Sequence, residues 1–291
     1  MAVDVLLTGA PGVLGREIRE ILLPNGYRVI ACGRTEAADI DAVWDVSVLD
    51  APEPEQDAEV VIHAAARIGS YQQSVSEAIP LFHVNVTGTA RVARWCVLRR
   101  VKRLVLISSA IVYGEWKDHP KTETDPVRPW SAGPYAVSKW CSEQVAHLVV
   151  GSGCELVVLR LASLYGVGYR NGLIQRMLRE GRSGREIHVK PPCDDSFDLV
   201  HVKDAARAIC RAVDAPTSGT WNIGGGSLTS IRELADICAL ATNSQVVVKE
   251  SSVTGSRRIL NWVDDRRART DLGHSNSVSL EVGVREIAKS L

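Results

Sequence analysis

Tyr135 and Lys139 stand four residues apart in PYAVSKW, a spacing that puts both side chains on one face of a helix. A phenol is a poor acid or base at neutral pH, because its ordinary pKa is about 10. An ammonium beside it favours the phenolate and brings proton transfer within reach. Upstream, RLVLISS ends in Ser108 and Ser109. A serine hydroxyl at the end of a strand can hold an oxygen that gains or loses charge. Together these residue types describe acid–base chemistry at an alcohol or carbonyl oxygen. A YxxxK spacing also arises by chance on surface helices, so the surrounding elements must decide.

RLVLISS reads as a buried fifth strand, and PYAVSKWCSEQVAHLVV as a helix beyond it. Before them, VDVLLTG, YRVIACG, AVWDV and AEVVIHAAA read as strands one to four. The segments LGREIREILL and NVTGTARVARWCVLRR read as helices, and CELVVLRLASLYG as strand six. Near-continuous apolar strands alternating with helices describe an α/β fold, a Rossmann-type doubly wound parallel sheet. After Gly166 the pattern loosens into a smaller, mixed lobe. The expected division is a dinucleotide-binding domain over 1–166, completed by about 198–224, with 167–197 and 225–291 forming a substrate lobe.

The loop TGAPGVLG joins the first strand to the first helix and carries Gly9, Gly12 and Gly15. Gly9 suits the tight turn, Gly12 a close approach to a pyrophosphate, and Gly15 close packing of helix on strand. The helix start, with Val13 and Leu14, offers free N–H groups and a partial positive charge to phosphates. The second strand ends Ala31-Cys32-Gly33-Arg34, with no acid at its tip to take a ribose hydroxyl. Arg34 suits a 2′-phosphate, which favours NADP(H), while Glu36 leaves NAD(H) open. Asp45 and Val46, ending strand three, could accept the adenine amino group and pack on its ring, or form a plain turn. Ala64, Ala65 and Ala66 offer small side chains where a dinucleotide would cross the sheet.

Composition narrows the function classes. The 291 residues carry 34 Lys plus Arg against 34 Asp plus Glu, so no global charge draws nucleic acid or an anionic membrane. The basic run LRRVKR suits a helix end. Seven dispersed cysteines form no CxxC pair and no metal-spaced cluster, which points to a reducing cytoplasm and to no metal site. No apolar run approaches membrane-spanning length.

In order, TGAPGVLG, HAAA, SSAIVYG, PYAVSK, VVLRLASLYG, DLVHVKDAARA and WNIGGG resemble the extended short-chain dehydrogenases/reductases, the NAD(P)-dependent epimerase/dehydratase group. The resemblance covers nearly the whole chain. It implies Ser109, Tyr135 and Lys139 as the catalytic set, with Tyr135 and Lys139 also on the cofactor side, where Lys139 would hold nicotinamide ribose hydroxyls. It groups Asn85, in HVNVTGT, with the cofactor-side residues as support for the active-site helix. It also implies a homodimer through the segments around Ala90–Leu98 and Trp140–Val149.

Members that dehydrate sugar nucleotides carry Asp-Glu after the active-site hydroxyl, and the double-epimerising reductases carry a cysteine at the second of those places. This chain has Ala110 and Ile111 there, which disfavours both reactions. Three functions remain: an NADP(H)-dependent ketoreductase on a keto sugar nucleotide or similar polar ketone, which Arg34 favours; an NAD-retaining 4-epimerase; and a non-catalytic cofactor-binding sensor. Ser163 and Phe197 replace an Asn and an Arg common in relatives that bind a nucleoside diphosphate. Either Arg257, Arg258, Lys190 or Arg170 rebuilds that anion site, or the substrate lacks a diphosphate. Trp116, His119 and Trp130 fall where they could line the pocket or simply pack.

Overall fold

The computed structural model describes residues 3–69, 75–116, 119–190, 192–248 and 259–291. In chain order the strands are β1 (Asp4–Thr8), β2 (Arg28–Gly33), β3 (Ala42–Val43), β4 (Val60–His63), β5 (Arg103–Ser109), β6 (Glu155–Leu161) and β7 (Ser163–Tyr165). They continue as β8 (Ile187–Val189), β9 (Ser196–His201), β10 (Gly219–Ile223), β11 (Leu228–Ser230), β12 (Val246–Val248) and β13 (Leu260–Asn261). The helices are α1 (Val13–Leu22), α2 (Val75–Phe82), α3 (Gly88–Leu98), α4 (Pro134–Val150), α5 (Leu173–Arg182), α6 (Val202–Ala212), α7 (Ile231–Thr242), α8 (Arg266–Leu272) and α9 (Leu280–Ser290).

Seven parallel strands form one sheet in the order β10-β6-β5-β4-β1-β2-β3. The chain starts mid-sheet at β1, winds outward to β3, then crosses back to β4 on the other side of β1. That reversal is the switch point at which ligands bind in such sheets. Successive β1 side chains serve opposite faces, as the two-residue period of a strand requires. Val5 and Leu7 join the core under α1 and α6, with Ile18, Ala205 and Trp221, whereas Leu6 joins the core under α3 and α4, with Val92, Trp95 and Ala146. Because both faces are covered, the strands read as unbroken apolar runs.

Strand six does not run through to Gly166. At Ser109 and Leu161 the pairing of β5 with β6 ends, and Ala162 donates to the Ile223 carbonyl at 2.9 Å. The chain then leaves the sheet as β7, which pairs with β9. Strand β9 also pairs antiparallel with β11 and parallel with β13, giving a small mixed sheet. A third core under α5, α7 and α9, with Met177, Ile187, Leu234 and Ile287, holds this part together. Among the described residues no helix is long and apolar enough to cross a membrane.

Candidate active site

The β1–α1 turn is built by close approach. Gly9 has φ +74°, and a Cβ there would lie 2.7 Å from the Ala65 nitrogen. A Cβ at Gly15 would run into the Gly9 and Ala10 carbonyls, so α1 can sit this low only on glycine. Gly12 donates to the Gly9 carbonyl at 3.0 Å and precedes a helix start with no side-chain cap and no acid in its first turn. Uncapped amides and a positive helix end suit a pyrophosphate. The residues present therefore fit a pyridine dinucleotide.

Two clefts open at this turn. The first, about 580 Å³, is lined by Gly9, Gly12, Val13, Leu14 and Gly15 together with Ser109, Tyr135 and Lys139. The second, about 520 Å³, is lined by Arg34, Asp45, Val46 and Ala65. Gly9, Gly12, Ala64 and Ala66 line both, so the two make one crevice across the carboxyl edge of the sheet. Strand β3 is shorter than the sequence implies, and Asp45 and Val46 lie just beyond it. The Asp45 carboxyl accepts from the Ser47 hydroxyl at 2.6 Å and the Ser47 amide at 2.9 Å, which holds its pKa below the usual range, helped by the charges of Arg34 and Arg91.

At the catalytic end, Ser109 closes β5 in extended conformation and its oxygen accepts from the Ile111 amide at 3.3 Å. Ser109 lines the first cleft, and a hydroxyl that accepts one hydrogen bond still has a proton to donate. Ala110 and Ile111 beside it also line the cleft and carry no carboxylate. Lys139 is buried, and its Nζ donates to the Ile107 carbonyl at 2.6 Å. Burial pushes its pKa down to about 8, against the opposing pull of the Glu143 carboxylate.

Asn85 lines neither cleft. It lies in a π-helical turn, His83–Thr87, between α2 and α3. Its side chain accepts from the Arg67 amide at 2.8 Å and donates to the Arg67 carbonyl and the Ser138 hydroxyl. Its carbonyl accepts from Thr89 and from Ser142 on α4 at 2.6 and 2.7 Å. A π turn frees backbone groups from the helical ladder, and here they brace the helix that carries Tyr135 and Lys139.

Several residues at the site are absent from the sequence reading. Tyr169, Asn171 and Asn261 line the catalytic end with Ser163. For Tyr169 and Asn171 the signal is their position just after a strand end, where ligands bind in such sheets, whereas Asn261 sits within the two-residue β13 and carries no such signal. Behind the site lies a buried network. The Glu143 carboxylate takes two N–H donors from Arg160, at 3.1 and 2.7 Å, and a hydrogen bond from the Ser108 hydroxyl. Arg160 also donates to the Tyr113 hydroxyl at 3.2 Å, which donates to Asn222 at 2.7 Å. Other candidates stand apart. Trp116 packs edge-on against Tyr113, Trp130 is exposed, and His119 sits 3.7 Å from Asp125. Phe197 pairs in β9 with Thr229 and Asn261, and Arg170 and Lys190 are exposed outside both clefts. Arg257 and Arg258 lie outside the described residues. Among the described residues no group of three His, Cys, Asp or Glu could hold a metal ion.

Residues 5–224 match the model of the NAD dependent epimerase/dehydratase family. The chain is 30% identical to the UDP-glucose 4-epimerase of Mycolicibacterium smegmatis, over 96% of this chain and 95% of that one. It is 26% identical to the dTDP-4-dehydro-6-deoxy-D-allose reductase of a Streptomyces species, over 79% of this chain and 78% of that one. Among solved structures, MoeE5 in complex with UDP-glucuronic acid and NAD superposes with a TM-score of 0.85 at 26% identity, covering 98% of both chains.

Proposed function

The chain belongs to the NAD dependent epimerase/dehydratase family and is an oxidoreductase-type enzyme, and we propose that it reduces a keto sugar nucleotide with NADP(H). The observation that carries this reading is the tip of β2. Arg34 lines the second cleft there, with Gly33 before it and no carboxylate at the strand end. A forked guanidinium matches a 2′-phosphate, and a reductant that is consumed and replaced is the chemistry that phosphate marks.

At the other end of the crevice the dinucleotide would supply hydride to the carbonyl carbon, turning the carbonyl oxygen into an alkoxide. Ser109 donates a hydrogen bond to that oxygen as its charge grows. Tyr135 delivers the proton that completes the alcohol and becomes phenolate. Lys139, as ammonium, stabilises that phenolate. Glycine-loop amides and Arg34 anchor the phosphates, and Asn85 keeps α4 in register through Ser138.

A second reading is an NAD-retaining sugar-nucleotide 4-epimerase. The UDP-glucose 4-epimerase relative and the NAD in the MoeE5 complex favour it. One experiment separates the two. The purified protein is denatured and the released nucleotide identified, while native protein is mixed in one arm with NADPH and a panel of 4-keto sugar nucleotides and in another with UDP-sugars alone. The reductase reading expects little retained nucleotide and loss of NADPH absorbance. Stoichiometric NAD, with interconversion of UDP-sugars and no NADPH loss, would replace it with the epimerase reading.

A further inference from the structure

Lys139 is enclosed by few charged groups among the described residues. On its own helix, α4, lie Tyr135 and, one turn farther, Glu143. From β5 come the Ile107 carbonyl, which accepts from Nζ, and the hydroxyls of Ser108 and Ser109. From β4 comes His63, which stays neutral because burial and the charge of Lys139 push its pKa down to about 3. Arg160 of β6 is directed at Glu143, which it grips with two N–H groups. Among the described residues Glu143 is therefore the one carboxylate whose charge reaches Lys139, and it is 2% exposed.

An ammonium without water needs a compensating charge, or it gives up its proton. A carboxylate buried this deeply would itself take up a proton unless cations and hydrogen bonds held it ionised. Arg160 and Ser108 supply such a cation and such a hydrogen bond to Glu143. The one-turn spacing puts Glu143 and Lys139 on the same face of α4.

We infer that Glu143 is a positioning residue, whose buried carboxylate keeps Lys139 in the ammonium form that the proposed acid–base role of Tyr135 requires. Glu143 touches neither cleft. It acts through Lys139, and through Ser108 it ties α4 to the strand that ends in Ser109.

The test reads Lys139 directly. Full-length protein labelled with ¹³C,¹⁵N-lysine is titrated by NMR, with the Lys139 signal assigned by its loss in Lys139→Met. Glu143→Gln keeps the shape and removes the charge, and the Lys139 midpoint is expected to fall by about one pH unit. Glu143→Asp keeps the charge and is expected to hold the midpoint near that of the parent. If Glu143→Gln fails to fold with Arg160 left unpaired, the pair Glu143→Gln/Arg160→Met removes both buried charges and is expected to show a fall in the same direction, smaller because a neighbouring cation leaves with the carboxylate. In an active preparation the high-pH limb of kcat would move down with the midpoint. A Lys139 titration that coincides in the parent and the folded variant, whatever the change in Tm, overturns the inference and leaves Glu143 a packing residue. The titration needs no substrate, so it stands or falls separately from the reductase assay.

Discussion

At the catalytic end of the crevice, Ser109, Tyr135 and Lys139 stand on a seven-residue strand and a seventeen-residue helix, backed by Glu143, Arg160 and Asn85. At the other end, Arg34, Asp45 and Val46 follow β2 and a two-residue β3, on loops. The loop from Asp45 to Ala51 is held mainly by Arg91, whose guanidinium donates to the carbonyls of Asp45, Val48 and Ala51. In the proposed reading, the residues that need fixed angles stand on long, buried elements, and Arg34, the residue proposed to choose the cofactor, stands exposed on a loop. Loops tolerate substitution that a buried network does not, so the two ends should respond differently to mutation.

The sharpest contrast is Tyr135→Phe. Loss of the proton donor should lower kcat by about 10²- to 10⁴-fold while dinucleotide affinity stays close to that of the parent. Stopped-flow turnover and calorimetric titration of the cofactor would check both halves. A variant retaining full kcat removes Tyr135 from the chemistry.

Gly9→Ala attacks the seam that both ends share. The new Cβ would meet the Ala65 nitrogen and needs φ near +74°. Crowding and left-handed backbone together should cost about 2–4 kcal/mol. The expected result is a lower Tm and cofactor binding weakened by about 10- to 100-fold. Unchanged affinity would mean that the dinucleotide does not lie on this turn.

Arg34→Glu should act only on cofactor choice. Losing a charge-assisted contact of about 1.5–3 kcal/mol and placing a carboxylate near the ribose should swing the NADP-to-NAD affinity ratio by about 10- to 100-fold toward NAD. A ratio that does not move would separate Arg34 from the 2′-position and weaken the reductase reading.

The same contrast explains what the sequence reveals. The helix read from Pro134 to Val150 and the strand from Arg103 to Ser109 are found with those bounds, because Gly133-Pro134 and Gly151 bracket one and an apolar run defines the other. The helical stretch that starts at Val75, ten residues before the helix read from Asn85, carries Pro80 inside α2, a residue that usually breaks a helix. Strand β7 was hidden because its residues continue the apolar pattern of β6, and only the end of β5 forces it away. Nothing in the spacing of Glu143, Arg160 and Arg91 sets them apart from other charged residues, and only folding shows them buried. Spacing marks what faces a helix or a turn, but burial of a charge depends on partners far away in sequence, such as Arg160 for Glu143 and Val48 for Arg91.

The smallest expected effect lies beneath the seam, at His63. Its ring bonds Thr8 at 2.7 Å and Thr89 at 3.1 Å, directly under the approach of Gly9 to Ala65. Burial first, and the charge of Lys139 second, lower its pKa to about 3 from an ordinary 6.5. The unfolded chain therefore binds a proton below about pH 6.5 that the folded chain refuses, so stability present above that pH is lost as pH falls toward 3. The slope is at most about 1.4 kcal/mol per pH unit. Asp198 acts in the opposite sense, since burial raises its carboxyl to about 7 and its contribution is lost as pH rises from about 4 toward that value. The two overlap in the parent protein, so the difference against a variant is the useful quantity. His63→Asn can still bond a threonine hydroxyl but does not titrate. Between pH 7 and pH 4.5 the parent's stability from urea midpoints should drop relative to that of this variant, by up to one proton's worth of slope. Parallel curves would mean that His63 takes up its proton inside the fold as readily as in the unfolded chain, against the burial that otherwise excludes it.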